Sequence, residues 1–444
     1  MKCFAILTAF LAVFFCATAQ QTASSSLYKI TTPESVGISS SKLNKAITAI
    51  ADSAIRAHAI PGCQVLVARK GQVVYYKTFG YFNYDSLERV TRATVYDLAS
   101  VTKVSATTVS IMKLYEQKKL DLRATLGTYI PWVRGSDKDT LHIDNILLHQ
   151  AGLLPDVFFH RETIDSTGRP LPYFFRAIRD SLYSVRVADN MYLRKDWLDT
   201  MDLRIVQSPL LLPVKYVYSD LDFIFLGKIV EQLSGKALDK YAADAFYKPL
   251  GMRTTTFTPK EKGISIARIA PTEKENVFRL ELLRGDVHDP SAAMYGGVAG
   301  HAGLYSNAYD LAKLYLMLLN GGNWNGHHFL NRQTINLFTG YHSNISRRGY
   351  GFDKPMKDNA TNGDPYPSIY ASPETFGHTG FTGTCVWADP KEDLLFIMLS
   401  NRVCPYGGAN NLLSSLSVRR NMLDAVYEAI DKKKTAGQKL TVVR

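Results

Sequence analysis

The strand-forming runs near the two ends of the chain constrain its fold more than any other feature. The segment CQVLVARKGQVVYYKTFGY holds two β-branched and aromatic runs joined at Lys70-Gly71, which is typical of a hairpin. Near the other end, GTCVWADPKEDLLFIMLSNR repeats this pattern with a turn at Asp389-Pro390. A segment with apolar residues at helical spacing precedes the first hairpin (SSSKLNKAITAIADSAIRAHAIPG), and another follows the second (SVRRNMLDAVYEAIDKKK).

The chain between the hairpins is predicted to be mostly helical. Four segments there show helical spacing, and several stop at Gly: KVSATTVSIMKLYEQ, DFIFLGKIVEQLSG, LDKYAADAFYKPLGM and AYDLAKLYLMLLNGG. The first is apolar on nearly every face, as expected of a central buried helix. We therefore predict an α+β fold: an antiparallel sheet from both ends (about 40–97 and 370–434), flanked by helices, with a large inserted helical lobe (about 98–369). A cleft between the lobes is the natural place for a site.

The amino terminus has the pattern of a secretory signal. MKCFAILTAFLAVFFCATAQQ combines one basic residue, a short apolar run and small residues ending at Ala19, so residues 1–19 are predicted to be cleaved off. Lipid attachment at Cys16 is the less favoured alternative, because two phenylalanines precede it where a lipoprotein signal has small residues. No later apolar stretch reaches about 18 residues. The prediction is a secreted or periplasmic domain over 20–434, with no membrane-spanning segment and a flexible tail at 435–444.

Charge and cysteine content narrow the function classes. Basic residues exceed acidic ones, 52 to 40 in 444 residues, but they are scattered rather than clustered, which argues against a nucleic-acid groove. Three of the five cysteines follow the predicted cleavage site: Cys63, Cys385 and Cys404. Three cannot form a complete disulfide framework, so buried free thiols are favoured, while a bridge between Cys63 and Cys404 stays open.

The stretch YDLASVTKVSAT places a hydroxyl and an amine on one side of a helix start. Ser100 and Lys103 are three residues apart, so their side chains are neighbours on the helix surface. A serine hydroxyl needs a neighbouring base to become a nucleophile, and lysine serves as that base only where its pKa is depressed. Burial at the head of an apolar helix would provide such surroundings, although an ordinary exposed helix start is the favoured explanation when the pattern is taken alone.

Two downstream segments carry further candidate groups. KYVYSDLDF places Tyr218 and Asp220 at the entrance to a helix, where Asp220 either supports a site or merely caps the helix. A phenol beside a lysine can act as a proton relay. TFGHTGFTGTCVW places His378, Thr379 and Gly380 at the opening of a predicted strand, where Gly permits close approach of a ligand backbone. Each segment alone also fits a purely structural role.

Taken together and in this order, Ser-x-x-Lys, Tyr-x-Asp and His-Thr-Gly resemble the three signatures of the serine β-lactamase and penicillin-binding protein superfamily. The resemblance is to the class C β-lactamase, DD-peptidase and esterase branch, whose second motif starts with Tyr. NILLHQAGL and GGVAGHAGLYSNAYDLAKL also look like segments of this family, so the similarity covers nearly the whole mature chain. A β-lactamase/transpeptidase-like fold is implied.

The resemblance also implies roles for individual residues. Ser100 would be the acylated nucleophile, Lys103 the base and Tyr218 the relay to the leaving group. Asp220 would hold Lys103 or the substrate amide. Residues 378–381 would support the substrate, with the backbone N–H groups of Ser100 and Phe381 forming the oxyanion hole.

Two departures from the family pattern weaken the case for an efficient β-lactamase. Asp220 replaces the commoner Asn, and His378 replaces the usual Lys, as in some DD-peptidases and D-aminopeptidases. Because a reference imidazole titrates near pH 6.5, we expect His378 to read a substrate carboxylate in its charged form and to lose that ability as the pH rises.

Other patterns carry less weight. The Lys-Thr sequence at Lys77 mimics a family motif but lies before the nucleophile, so it is treated as a decoy. His288 and His301 flank a glycine-rich turn without an accompanying His-Glu-x-x-His or Cys pair, so no metal is predicted. The glycines of that turn lack the Gly-x-Gly-x-x-Gly spacing after a strand, so no nucleotide cofactor is predicted.

The sequence thus predicts an exported serine hydrolase that forms an acyl-enzyme on Ser100. D-amino-acid peptides of the cell wall are the favoured substrates, as for a DD-carboxypeptidase or D-aminopeptidase, with possible weak β-lactamase activity. One alternative is an esterase, because the segment from Asp156 to Val214 is long enough to form a lid that reshapes the pocket. The other is a penicillin-binding or muropeptide-binding protein that does not turn over. The oligomeric state stays open.

Overall fold

A computed structural model describes residues 30–213 and 215–431 of the chain. The strands are β1 (Gly62–Arg69), β2 (Gln72–Gly80), β3 (Tyr96–Asp97), β4 (Phe175–Arg176), β5 (Tyr183–Ala188), β6 (Met191–Arg194), β7 (Thr256–Phe257), β8 (Leu304–Ser306), β9 (Asn323–Trp324), β10 (His327–His328), β11 (Phe376–Thr379), β12 (Cys385–Asp389) and β13 (Leu394–Ser400). The α-helices are α1 (Ser40–Arg56), α2 (Val109–Glu116), α3 (Leu126–Tyr129), α4 (Ile143–Leu147), α5 (Trp197–Gln207), α6 (Asp220–Ser234), α7 (Leu238–Ala242), α8 (Pro290–Met294), α9 (Ala308–Leu319), α10 (Arg332–Thr339), α11 (Leu412–Ser415) and α12 (Val418–Glu428). Lys103–Thr108 and Ala243–Tyr247 are π-helical.

The two predicted hairpins join into one antiparallel sheet. Its strand order is β11-β12-β13-β1-β2, so β1 from the start of the chain pairs with β13 from its end. Cys63 lies opposite Ser400 in this pairing, and Arg69 lies opposite Leu394. Both sequence-predicted turns fall between paired strands, and the predicted α+β class is confirmed.

The sheet separates two layers of core. Alternate side chains of a strand point to opposite faces, so Val65 and Val67 pack with the terminal helices α1 and α12, whereas Leu66 and Ala68 pack with the inserted helices. Helix α9 lies against β1 and β13 on that second face. The sheet therefore links the chain termini to the helical part that carries the candidate site.

The inserted part is not purely helical. The stretch suggested as a lid contains helix α5 and a three-stranded sheet of order β4-β6-β5, whose β5–β6 hairpin turns at Asp189-Asn190. Asn190 has φ 52°, a left-handed conformation that Asn tolerates better than most residues. These strands were not predicted because each is short.

The paired or free state of the cysteines and the absence of a membrane-spanning segment were also predicted from the sequence. Cys63, Cys385 and Cys404 are buried free thiols, so the possible Cys63–Cys404 bridge is not formed. Within the described residues, no helix has both the length and the apolar content needed to cross a membrane. The predicted signal (1–19), the Cys16 lipidation alternative and the predicted tail (435–444) lie outside the described residues.

Candidate active site

Ser100 lies in a strained turn between β3 and the buried helix. The preceding residue, Ala99, has φ 46°, a conformation that non-glycine residues rarely adopt. The buried Asp97 holds this turn, because its carboxyl group accepts hydrogen bonds from the N–H groups of Ala99 (2.8 Å) and His288 (2.7 Å). The turn thereby presents the Ser100 hydroxyl at the start of the helix.

Lys103 lies one turn further on and is fully buried. Its Nζ donates to Ser100 Oγ at 3.1 Å, to Asp220 Oδ1 at 2.5 Å and to the backbone oxygen of His301 at 3.3 Å. The predicted neighbourhood of Ser100 and Lys103 is therefore present. All three ammonium hydrogens have acceptors, which is the capacity of a charged lysine side chain.

The charge state of Lys103 differs from the sequence-based expectation. Burial disfavours the ammonium form, but the Asp220 carboxylate and the Tyr218 side chain together outweigh burial and raise the pKa of Lys103 above its ordinary value. Burial acts in the expected direction, but the net shift is upward, so the expected depressed pKa of Lys103 is wrong. In the free protein, Lys103 is an ammonium group paired with Asp220.

Tyr218 lies over the same lysine. Lys103 Nζ is 4.8 Å from the centre of the Tyr218 ring, within the range of a cation–π contact. Burial raises the pKa of Tyr218, and Asp220 adds to the rise, although Lys103 and Ser100 counteract it. Tyr218 is consequently a neutral phenol that can donate a proton beside Ser100.

Asp220 does not cap its helix. The N-cap of α6 is Ser219, whose hydroxyl accepts from the N–H groups of Leu221 (3.1 Å) and Asp222 (3.4 Å). Asp220 is instead the first residue of α6 and directs its carboxylate to Lys103. The capping interpretation of Asp220 is wrong, because the adjacent serine performs that role.

His378 is the third residue of β11 rather than its opening residue. Its Nδ1 hydrogen-bonds the Thr379 carbonyl oxygen at 2.6 Å, while its Nε2 is buried without a partner among the described residues. Burial, reinforced by the nearby Arg348 guanidinium, lowers the pKa of His378 to about 3. This lowered pKa favours a neutral imidazole in the free protein and argues against the expected charged form, whereas carboxylate recognition by His378 stays a prediction.

The turn after β11 packs directly against the nucleophile turn. Thr382 Oγ1 donates to the Asp97 carbonyl at 2.8 Å, and Thr384 Oγ1 donates to the Leu98 carbonyl at 2.9 Å. A Cβ at Gly380 would lie 2.4 Å from the Leu98 oxygen, so only glycine allows this approach.

The N–H groups of Ser100 and Phe381 have no acceptor within residues 30–213 and 215–431. Two free N–H groups on adjacent turns are what the suggested oxyanion hole requires. The Phe381 ring is 50% exposed and stacks on His288, with ring centres 5.5 Å apart.

Arg348 is a site residue that the sequence did not reveal. It is buried, its Nε and Nη2 donate to Tyr216 Oη (3.2 and 3.1 Å), and its guanidinium carbon lies 5.3 Å from the Tyr218 ring centre. Its Nη1 is buried without a partner in the described chain. Burial opposes its charge, but Asp353, 3.6 Å away, raises the pKa of Arg348. A permanent cation with an unused donor thus lies beside Tyr218 and His378.

His149 and Asp222 form a hydrogen-bonded pair next to Tyr218. The His149 ring is 4.7 Å from the Tyr218 ring, and its Nδ1 is 2.8 Å from Asp222 Oδ2 and 3.2 Å from the Ser219 N–H. Burial lowers the pKa of His149 and raises that of Asp222. Both shifts favour an uncharged His149–Asp222 contact beside Tyr218. His149 lies in NILLHQAGL, so only the family resemblance could have drawn attention to it.

His301 and Asp289 lie next to the Lys103–Asp220 ion pair. His301 Nε2 is 2.9 Å from Asp289 Oδ1, and this carboxylate outweighs burial to raise the pKa of His301. Asp220, Asp289 and His301 bring possible metal-ligand atoms within 4.8 Å of one another. The Asp220 carboxylate is already paired with Lys103, and the Asp289 carboxylate already hydrogen-bonds His301.

Comparison with known proteins identifies the family of the chain. The Beta-lactamase family model matches residues 43–413. A protein of Escherichia coli (strain K12) named "Putative D-alanyl-D-alanine carboxypeptidase" is 33% identical over 396 residues, covering 83% of this chain and 84% of that protein. The protein of the same name from Salmonella gallinarum (strain 287/91 / NCTC 13346) is 31% identical, with 84% and 85% covered.

Solved structures share the fold at lower identity. EstCE1, described as a hydrolase with promiscuous acyltransferase activity, matches with TM-score 0.62 and 23% identity, over 87% of this chain and 99% of its own. A penicillin-binding protein homologue from Caulobacter crescentus matches with TM-score 0.60 and 18% identity, over 88% and 99%. A class C β-lactamase from Rhodobacter sphaeroides matches with TM-score 0.57 and 17% identity, over 84% and 98%. The chain therefore belongs to the β-lactamase family and is a serine hydrolase.

Proposed function

We propose that this protein is an exported hydrolase that forms an acyl-enzyme on Ser100 and acts on cell-wall peptides ending in a D-amino acid. The observation that carries the proposal is the placement of Lys103 Nζ between Ser100 Oγ (3.1 Å) and Asp220 (2.5 Å). The name of the curated relatives is consistent with this substrate class. Export rests on the amino-terminal sequence pattern alone.

The proposed reaction has two steps. Lys103 first loses its ammonium proton to solvent. Ser100 Oγ then attacks the substrate carbonyl carbon and gives its proton to the neutral amine of Lys103, while the carbonyl oxygen becomes an oxyanion near the Ser100 and Phe381 N–H groups. The bond to the leaving amine breaks as Tyr218 donates a proton to that amine and is reprotonated by Lys103. Water then attacks the ester, Lys103 takes the water proton, and Ser100 regains a proton as the acid is released.

Arg348 favours a substrate with a free carboxylate. A buried guanidinium with an unused donor is suited to a carboxylate, because charge-assisted hydrogen bonds are about twice as strong as neutral ones. A D-alanyl-D-alanine peptide carries such a group on its leaving residue, and a neutral ester does not. We therefore place the carboxylate near Arg348 and neutral His378.

An esterase is the second candidate. The half-exposed Phe381 ring and the uncharged His378 give one wall of the site an apolar character that suits a neutral acyl group. One structural neighbour, EstCE1, is described as a hydrolase with acyltransferase activity. A non-turnover penicillin-binding or muropeptide-binding protein is the third.

Intact mass measurements separate these candidates. Purified protein is offered fluorescent penicillin, an activated neutral ester and a D-alanyl-D-alanine peptide in parallel, with Ser100→Ala as control. We expect release of D-alanine from the peptide and only a transient adduct on Ser100. Turnover of the ester alone would establish the esterase, and a persistent adduct would establish the binding protein.

Asp220→Asn is expected to shift the pH dependence of the reaction. The Asp220 carboxylate is what raises the pKa of Lys103, so removing its charge lowers that pKa and provides the neutral amine at lower pH. The acidic limb of the kcat/KM profile should move down by about one pH unit or more, which corresponds to at least about 1.4 kcal/mol of differential interaction. An inactive, folded Asp220→Asn protein would mean that Asp220 itself must accept the proton.

His378 is expected to contribute no pH dependence to carboxylate recognition. Its pKa is lowered to about 3, so it is neutral at all higher pH values used in assays. The ratio of kcat/KM for a carboxylate substrate to that for a neutral ester of the same acyl group should change by less than about twofold between about pH 5.5 and 8. A several-fold fall in this ratio with rising pH would show that His378 is protonated in the complex.

A further inference from the structure

Arg419 contacts the peptide group that supplies one of the two free N–H groups. This residue is on α12, at the far end of the chain from Ser100, and its Nη2 donates to the Gly380 carbonyl oxygen at 2.7 Å. The Gly380 carbonyl and the Phe381 N–H belong to the same planar peptide unit. A hydrogen bond at one end of this unit therefore fixes the direction of the N–H at the other end.

A second arginine holds the next carbonyl of the same turn. Arg402 Nε donates to the Phe381 carbonyl oxygen at 2.7 Å, and the Arg402 N–H donates to Thr382 at 2.8 Å. Two consecutive carbonyls of this turn thus accept hydrogen bonds from guanidinium groups. The free Phe381 N–H is left for an acceptor elsewhere.

The two guanidinium groups are not neutralised. Neither has a carboxylate within salt-bridge distance in the part of the chain that the structure describes, and Arg419 Nε is buried without a partner there. Burial lowers the pKa of both, and Arg419 helps to bring the pKa of Arg402 to about 10. Guanidinium groups are not deprotonated in proteins, so both side chains carry positive charge at neutral pH. They therefore place positive charge without a paired carboxylate next to the Gly380 and Phe381 carbonyl oxygens.

We propose that Arg419 is a positioning residue that orients and polarises the Gly380–Phe381 peptide for stabilisation of the oxyanion. Donation to the carbonyl withdraws electron density from the peptide and makes its N–H a stronger donor, because linked hydrogen bonds polarise one another in a low-dielectric environment. The effect increases as negative charge develops on the substrate oxygen, so it acts on the transition state more than on bound substrate. This inference rests on the proposed acyl-enzyme mechanism.

The surroundings of Arg419 allow a specific test. A surface cavity of about 300 Å³ is bordered by Thr379, Ser417, Arg419 and Arg420. Truncation of Arg419 would enlarge this cavity toward the Gly380 carbonyl, giving a free guanidinium ion access to the vacated position. Arg420 is a matched control on the same helix, because its guanidinium pairs instead with Asp364, which is 89% exposed.

In Arg419→Ala we expect kcat to fall about 10- to 100-fold with KM within about threefold, somewhat less than the loss of an oxyanion-hole donor itself. Millimolar guanidinium chloride should restore part of kcat in Arg419→Ala but not change the wild type. Arg420→Ala should keep kcat within about twofold. If Arg419→Ala does not fold, Arg419→Gln, which keeps an N–H donor without the charge, is measured in the same way.

The infrared spectrum of the acyl-enzyme distinguishes polarisation of the peptide by Arg419 from a purely structural role, which would not change the frequency of the ester carbonyl stretch. The ester carbonyl stretch should shift to higher frequency in the Arg419 variant, because its oxygen accepts weaker hydrogen bonds. A folded variant with unchanged kcat and an unchanged carbonyl stretch overturns the role of Arg419 while leaving the acyl-enzyme mechanism intact. A wild type that forms no adduct on Ser100 overturns the mechanism and this inference together.

Discussion

Ser100→Ala and Lys103→Ala are each expected to lower kcat/KM by at least about 10³-fold, because each removes a partner of one proton-transfer unit. Lys103 Nζ lies 3.1 Å from Ser100 Oγ, and the lysine side chain is fully buried. Without Lys103, the serine hydroxyl loses the amine that takes its proton in the proposed reaction. Without Ser100, no acyl-enzyme forms.

The double variant distinguishes a unit from two independent contributions. Residues that act together show strongly non-additive losses, so Ser100→Ala/Lys103→Ala should be about as inactive as either single variant. Lys113→Ala, further along the same helix where Nζ donates to the Phe329 carbonyl oxygen, is the control and should retain activity. Losses that multiply in the double variant would show that Lys103 does not act through Ser100.

Arg348→Met is expected to reduce kcat/KM for a carboxylate-bearing peptide by about 10- to 100-fold, the effect of losing a charge-assisted hydrogen bond of about 1.5–3 kcal/mol. Methionine approximates the apolar part of the side chain but removes the unused Nη1 donor beside Tyr218. For a neutral ester of the same acyl group, the change should stay within about threefold, since no carboxylate is present to lose its partner.

Arg347→Met is the matched control for Arg348. Arg347 makes the closer contacts with Asp353, at 2.8 and 3.1 Å, so its replacement removes charge next to Asp353 while Arg348 and its unused Nη1 donor remain. Its selectivity between the two substrates should remain that of the wild type. If Arg348→Met loses kcat/KM equally for the peptide and the ester, Arg348 contributes only to packing and does not recognise the carboxylate.

The regular elements were largely predictable from the sequence because their signals are local. Apolar spacing and turn residues identified both hairpins, the flanking helices and the buried helix after Ser100. The predicted bounds were less accurate: α6 begins at Asp220 and β11 at Phe376, both earlier than the patterns suggested. The short strands of the 156–213 segment were missed, because two to six residues carry little periodic signal.

The sequence by itself determined the spacing of Ser100 and Lys103, since one helical turn brings side chains three residues apart together wherever the helix lies. Only the tertiary structure decided the protonation states of Lys103 and His378. Asp220, 117 residues from Lys103 in the chain, keeps that lysine charged. Burial beside Arg348 keeps His378 neutral, although an isolated imidazole would titrate near pH 6.5. The physical reason is that backbone geometry depends on neighbouring residues, whereas a pKa depends on burial and on charges that distant segments bring close.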